Sequence, residues 1–441
     1  MMKRKKRKVI LDTDCAVDPD DEVALMLLMS IASTNNFDII AITTVGFWPW
    51  FKKQLATIYV LQFQKNVEYW KRRSIPIFAG CGVTLRGDWF NPFMFSGLFA
   101  IPVLLLLWWW KIFQLFLCRL GFTTTNQHSK SPDLHAVDAL LGFSQQYAGE
   151  LEIICIGPLT NIGMAIQRDP EFLGRLKSLF IMGGLVGGCV PGFPCNVING
   201  RKILPHHDTN IRSDRESFAI ILEQYSKLQE IAKNHQGFLQ LPDIAMVSLD
   251  TTLQCYWSPQ DTKLALTSAP VPYGRRYLKW AIYSWSWVQQ LIFYIPRSKC
   301  WSILHDPLTV VEAINNHGND RCLKHQNHNP PGLGGKYVVF GNFTCVVEYH
   351  NNGYRPVQIK ACTPDNNNND HQDRIKIKPL SDISSINKKI GLIRNTVQQQ
   401  SLINQKSSSC EIRISLAYQC ESEAFKLDLE QIFSKLHDDM N

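Results

Sequence analysis

No C-x-x-C pair and no Cys/His cluster with zinc spacing occurs in this 441-residue chain, although it holds 13 cysteines. An odd, scattered count excludes a disulfide framework and a structural zinc site, and points to reduced thiols in a cytosolic protein. There is no internal repeat, and only 19% of the residues are charged against 45% hydrophobic, an ordinary globular balance with material for a sizeable core. The net charge of +8 rests largely on "KRKKRK" (Lys3 to Lys8) and on the C-terminal third. No stripe of basic and aromatic residues follows that run, so it reads as a solubilising arm rather than a nucleic-acid site. No apolar signal core separates the run from "VILDTD", and the expected location is the cytoplasm.

Charge is missing altogether from "WFNPFMFSGLFAIPVLLLLWWW" (Trp89 to Trp110). Its length and hydropathy are those of a membrane span. Pro102 interrupts it, however, and the residues on both sides belong to one fold, which a single span would divide between two sides of a membrane. The expectation is an insertion over 89–118 that packs on itself or touches a membrane surface, or else a misread stretch of the gene.

What the chain does have is a series of short apolar runs rich in Val and Ile: Val9 to Leu11, Phe37 to Thr44, Ile75 to Ala79, Leu151 to Ile156, Ser178 to Met182 and Ile244 to Leu249. Alternating with helical patterns, they predict an α/β fold with a mostly parallel, in part mixed, central sheet covered by helices on both faces. Ligands of such sheets bind beyond the carboxyl ends of the strands. Polar and glycine residues gather there: Asp12 and Asp14, "TTVG", "GPLTN" (Gly157 to Asn161), "MGG" (Met182 to Gly184), then Asp250 and Thr251.

The densest of these stretches, "DTDCAVDPDDEVAL", puts Asp12, Asp14, Asp18, Asp20 and Asp21 within ten positions, where a strand hands over to a helix. Carboxylates this close repel one another, so a cation is expected among them. An EF-hand is excluded, because counting from Asp12 the sixth position is Val17 rather than Gly. A phosphotransferase with an aspartyl nucleophile would want Thr or Val where Ala16 stands. A divalent-cation site assembled from this loop and distant segments remains.

At this point the chain resembles the inosine-uridine preferring nucleoside hydrolases. The acidic stretch is similar to their signature in its longer form, and "IAITTVG", "GPLTNIGMAIQRDPEFLGRLKSLFIMGG", "DTNIRSDRESF" and "LHDPL" follow in the family's order. The resemblance implies a single large domain over 9–441 after a basic tail at 1–8. Insertions are expected near 89–130, 186–205, 317–340 and 363–409, the last polar and of low complexity. It implies hydrolysis of the N-glycosidic bond of ribonucleosides to ribose and free base, for salvage or catabolism, and a dimer or tetramer. It further implies one Ca²⁺ held by Asp14, Asp21, the backbone carbonyl of Thr160 and Asp306. Asp14 would be the general base, Asp20, Asn210 and Asp208 would bind the ribose, and His305 would give a proton to the departing base or else orient Asp306. Asp12, Asp18 and Asp250 are expected to order loops and strand ends.

Three departures stand out. Phe47 follows Gly46 where the family has Asn, the family's His-Gly loop before the fourth strand is not recognisable, and the Asn expected between "MGG" and "DTN" is Asn196, Asn199 or neither. They admit an alternative, a catalytically impaired homologue that binds nucleoside or Ca²⁺, and a weaker one, a metal-dependent phosphatase.

Overall fold

The computed structural model describes residues 6–15, 19–34, 37–46, 75–85, 133–184, 208–234, 241–268 and 302–315, strand residues 338–348, 358–364 and 409–420, and some shorter pieces. The apolar insertion and most of the three others lie outside the described residues.

Six strands build the parallel heart of the sheet: β1 (Arg7–Thr13), β2 (Phe37–Thr44), β3 (Ile77–Ala79), β4 (Leu151–Cys155), β5 (Ser178–Met182) and β6 (Asp243–Val247). All six were legible as apolar runs. Their spatial order is β3-β2-β1-β4-β5-β6, with β1 at the centre, so the chain reverses its direction of travel beside β1. That reversal is the topological switch point at which open α/β sheets form their crevice.

Beyond β6 the sheet continues through four strands: β7 (Leu333–Gly334), β8 (Val338–Glu348), β9 (Gln358–Pro364) and β10 (Ser409–Cys420). β10 lies parallel to β6, and β8 pairs antiparallel with β10, β9 and β7. The segment "EIRISLAYQC" near the end of the chain, which reads as a strand, falls within β10. The partner β8 was not anticipated, because its sequence adjoins stretches of low complexity.

Side-chain alternation along the strands divides the interior into two cores. Val9 and Leu11 of β1, Ile154 of β4 and Phe180 of β5 face one, while Ile10, Ile153, Leu179 and Ile181 face the other. Each such fully buried side chain contributes about 1.5–3 kcal/mol. The first core is closed by α1 (Asp20–Thr34) and, among the later helices, by Leu308, Val310 and Val311 of the helix His305–Asn315. The second is closed by α2 (Ala136–Gln146), α3 (Thr160–Arg168) and the helix Arg215–Asn234. That last helix presents Phe218, Ile221, Leu222, Tyr225 and Leu228 at helical spacing, which is the face it buries. In chain order the remaining helices used below are α4 (Thr209–Ser213), α5 (Arg215–Asn234) and α6 (His305–Asn315).

The same alternation aims the first strand's polar end. Asp12 falls on the face of Ile10, toward α3, and Thr13 on the face of Leu11, toward α1. The fold thus sends neighbouring polar residues into different layers.

Candidate active site

Three carboxylates converge where α1 and α6 begin. Oxygens of Asp20, Asp21 and Asp306 lie within 4.8 Å of one another, and all three residues are buried. The first turns of both helices supply them, so the positive ends of two helix dipoles point at the cluster and offset part of the repulsion. The backbone N–H of Asp306 also donates to Asp20 Oδ2 at 3.2 Å, which ties the start of α6 to that of α1. The donors are hard oxygens, and the cluster suits a hard divalent cation.

Asp14 follows β1 at the same strand ends and is only 6% exposed. Its neighbour is Gly157, where an added Cβ would sit 2.8 Å from Asp14 Oδ1 and 2.9 Å from Asp14 N. No side chain fits between them. The glycine that opens "GPLTN" is thus required by close approach to the acidic loop.

Asp12 has a different environment. It is completely buried, and Thr43 Oγ1 and Asn161 Nδ2 donate to its Oδ1 at 2.5 and 2.8 Å. Its Oδ2 has no partner among the described residues, and burial pushes its pKa up to about 6. Asn161 also donates to the Thr44 carbonyl at 3.1 Å and accepts from Cys81 N at 2.9 Å. This single amide fastens the ends of β1 and β2 and the turn after β3. The sequence places Asn161 at the strand ends, in "GPLTN", without assigning it this role.

Thr160 opens α3, and its hydroxyl donates to Asp214 Oδ2 at 2.7 Å. Asp214 accepts as well from Ser217 Oγ at 2.7 Å and from the backbone of Ser217 and Leu85, each at 3.1 Å. As the first residue of a helix, Thr160 has its carbonyl committed to the helical ladder. Directly after β4, the carbonyl of Ile156 accepts from Asn210 Nδ2 at 3.0 Å.

Asn210 and Asp208 stand at the ends of β4 and β5. Asn210 Nδ2 reaches the carbonyl of Met182 at 3.4 Å in addition to that of Ile156. Asp208 caps α4 by accepting from Ile211 N at 3.2 Å, and its second oxygen takes the N–H of Gly184. Gly184 has φ +88°, a conformation open to glycine, which turns its N–H toward the carboxylate. Both carboxylate oxygens therefore already accept from the backbone. Burial nonetheless lifts the Asp208 pKa to about 6, the backbone bonds offsetting only part of the desolvation.

His305, adjacent to Asp306, is buried with its Nδ1 2.6 Å from Thr252 Oγ1. Burial lowers its pKa to about 3, so the imidazole is uncharged at neutral pH. Asp250 is buried in the turn following β6. In the aromatic stretch "YSWSW" (Tyr283 to Trp287), Trp285 is buried and Trp287 exposed. Asp18, Phe47, Trp48, Trp50, Asn196 and Asn199 lie outside the described residues.

The sequence pattern of the inosine-uridine preferring nucleoside hydrolases matches residues 9–374. The chain belongs to that family. Within the nucleoside hydrolases it is similar to probable uridine nucleosidase 1 of Oryza sativa subsp. japonica, with 35% identity over 133 residues, 30% of this chain and 33% of that one. It is also similar to uridine nucleosidase 1 of Arabidopsis thaliana, with 29% identity over 105 residues, 24% of this chain and 28% of that one. These matches span about a third of the relatives' length. The fold is that of a plant nucleoside hydrolase, with TM-score 0.58 and 20% identity over 97% of this chain and 99% of that one. A purine-preferring ribonucleoside hydrolase from Gardnerella vaginalis has the same fold, with TM-score 0.55 and 16% identity over 98% and 100% of the two chains. Among the described residues, no helix is long and apolar enough to cross a membrane.

Proposed function

We propose that this chain hydrolyses the N-glycosidic bond of ribonucleosides, releasing ribose and a free base, with Ca²⁺ held at the strand ends. The observation that carries the reading is the convergence of Asp20 and Asp21 with Asp306, from a distant segment, into one buried cluster. Three mutually repelling carboxylates are not gathered under cover for stability.

In this reading Asp14, Asp21 and Asp306 hold the ion together with a backbone oxygen. Ile156 fits that part better than Thr160, because its carbonyl directly follows β4 at the strand ends and that of Thr160 belongs to a helix. When bound, a divalent cation grips the sugar diol and acidifies water next to the anomeric carbon. Asp14 takes the proton from the attacking water, a task for which a carboxylate of ordinary basicity suffices. Asp20 and Asn210 bind ribose hydroxyls, and Asp208 offers its remaining lone pairs to the 5′ side. The bond breaks through an oxocarbenium-like sugar, so the departing base must gain a proton. Neutral His305 keeps its proton on Nε2 in the tautomer in which the Thr252 hydroxyl donates to Nδ1; from there it hydrogen-bonds the departing base or orients Asp306, and the proton that the base gains comes from water.

The uridine nucleosidases among its relatives make uridine the first substrate to try. The test is release of free base from uridine, inosine, adenosine and cytidine by the purified protein, with and without EDTA. Release that EDTA abolishes and Asp14→Ala eliminates in folded protein is the expected result. No release from any of the four, in protein that still binds Ca²⁺, would replace this reading with that of a binding homologue.

A further inference from the structure

Thr13 is the residue between Asp12 and Asp14, and strand alternation turns it away from Asp12, toward α1. It is fully buried, as is Asp21, the second residue of α1. Its hydroxyl donates to Asp21 Oδ1 and accepts from the backbone N–H of Cys15 at 3.1 Å. A hydroxyl has one proton to give. Because the Cys15 amide brings its own proton, that of Thr13 goes to the carboxylate, and the chain of bonds runs in one direction from Cys15 through Thr13 to Asp21. The acceptor is a carboxylate oxygen and both groups are buried, conditions in which such a bond is strong.

Two consequences follow for the acidic cluster. The bond fixes one oxygen of Asp21 and with it the plane of the carboxylate. It also joins the end of β1 to the start of α1, while the bond from Cys15 N to the same hydroxyl closes the turn that holds Asp14. We propose that Thr13 is a positioning residue of the cation site, presetting Asp21 and the Asp14 loop for a divalent ion. This rests on the reading of the cluster as a cation site given above. Partners that orient a metal's ligands in this way commonly set its affinity by 10–100-fold.

The experiment titrates Ca²⁺ alone into the purified protein by calorimetry, beside Thr13→Val, Thr13→Ser and Asp21→Asn, with melting temperatures measured metal-free. Valine keeps the branched shape and removes the hydroxyl, while serine keeps the hydroxyl. The expected result is a loss of about 10–100-fold in Ca²⁺ affinity for Thr13→Val, with Thr13→Ser within about threefold of the parent. A folded Thr13→Val that binds Ca²⁺ like the parent, while Asp21→Asn does not, overturns the role of Thr13 and leaves the cation site standing. A parent protein that binds no Ca²⁺, or binds it no better than Asp21→Asn, overturns the cation reading and this proposal with it. Should Thr13→Val not fold, Thr13→Cys, of serine size with only a weak donor, carries the same comparison.

Discussion

Asn161 and Asp12 are 149 positions apart in the chain, yet Asn161 Nδ2 donates to Asp12 Oδ1 at 2.8 Å inside the protein. The contact joins the central strand to the helix that follows β4, directly behind the acidic loop. Truncating Asn161 to Ala would leave Asp12 with a single donor and Cys81 N with no acceptor. Each orphaned buried group costs about 1–3 kcal/mol, so Asn161→Ala should lose about 2–5 kcal/mol of stability. Urea unfolding followed by circular dichroism measures this, and a loss below about 1 kcal/mol would mean that the surroundings relax to supply new partners.

Asp208 provides a pH-dependent prediction. Its folded pKa stands near 6 against 3.8 for the free group, so the folded state holds the proton more tightly than the unfolded state. The stability it contributes is present in full below pH 3.8 and is lost as pH rises to about 6. In Asp208→Asn that loss disappears. The stability of the variant relative to the parent should therefore improve between pH 4 and pH 6.5, by up to about 3 kcal/mol, on top of a pH-independent offset from the altered cap. Denaturant midpoints across that range show the trend, and a flat difference would mean that Asp208 ionises normally.

The carboxylate cluster makes opposite predictions with and without metal. In the metal-free protein, Asp306→Asn removes one of three crowded negative charges and should raise the melting temperature. With Ca²⁺ present the parent should gain stability by mass action, about 2.7 kcal/mol at a hundred times the dissociation constant. Asp306→Asn should gain little. Paired melts with EDTA and with Ca²⁺ reveal a crossing of the two proteins, and parallel shifts would place the ion elsewhere.

Gly157 is predicted to matter through space alone. A methyl group there would meet Asp14 Oδ1 at 2.8 Å, so Gly157→Ala must push the carboxylate or its loop aside. A displacement of about 1 Å at a catalytic group can cost about 10²-fold in rate. Gly157→Ala should lower kcat by about that factor while altering KM less. Steady-state kinetics on the nucleoside that the parent turns over best decide the matter, and unchanged kcat would show that Asp14 tolerates the shift.

All six parallel strands, the polar residues gathered at their carboxyl ends and the acidic loop were readable in the chain. Buried parallel strands must be apolar along their whole length, and runs such as "LEIICI" and "SLFIM" have few other uses. The Asp-rich stretch was legible for the converse reason, that so much negative charge at a strand end has no place without a counter-ion. Long-range partnership was legible only through the family resemblance, which grouped Asp306 with Asp21; residue type and local period carried none of it. Nothing near Asp306 in the chain announces Asp20, and nothing in "GPLTN" says that its glycine makes room for Asp14 or that its asparagine reaches Asp12. Thr13 is an ordinary strand residue by propensity, and nothing near Thr160 in the chain says that its hydroxyl donates to Asp214. The sequence by itself determined which segments are buried, where the sheet ends and where negative charge collects, because burial and repulsion act on residue type and local period. Only the tertiary structure decided which polar atoms meet, because hydrogen bonds depend on distances between segments that the fold alone brings within 3 Å.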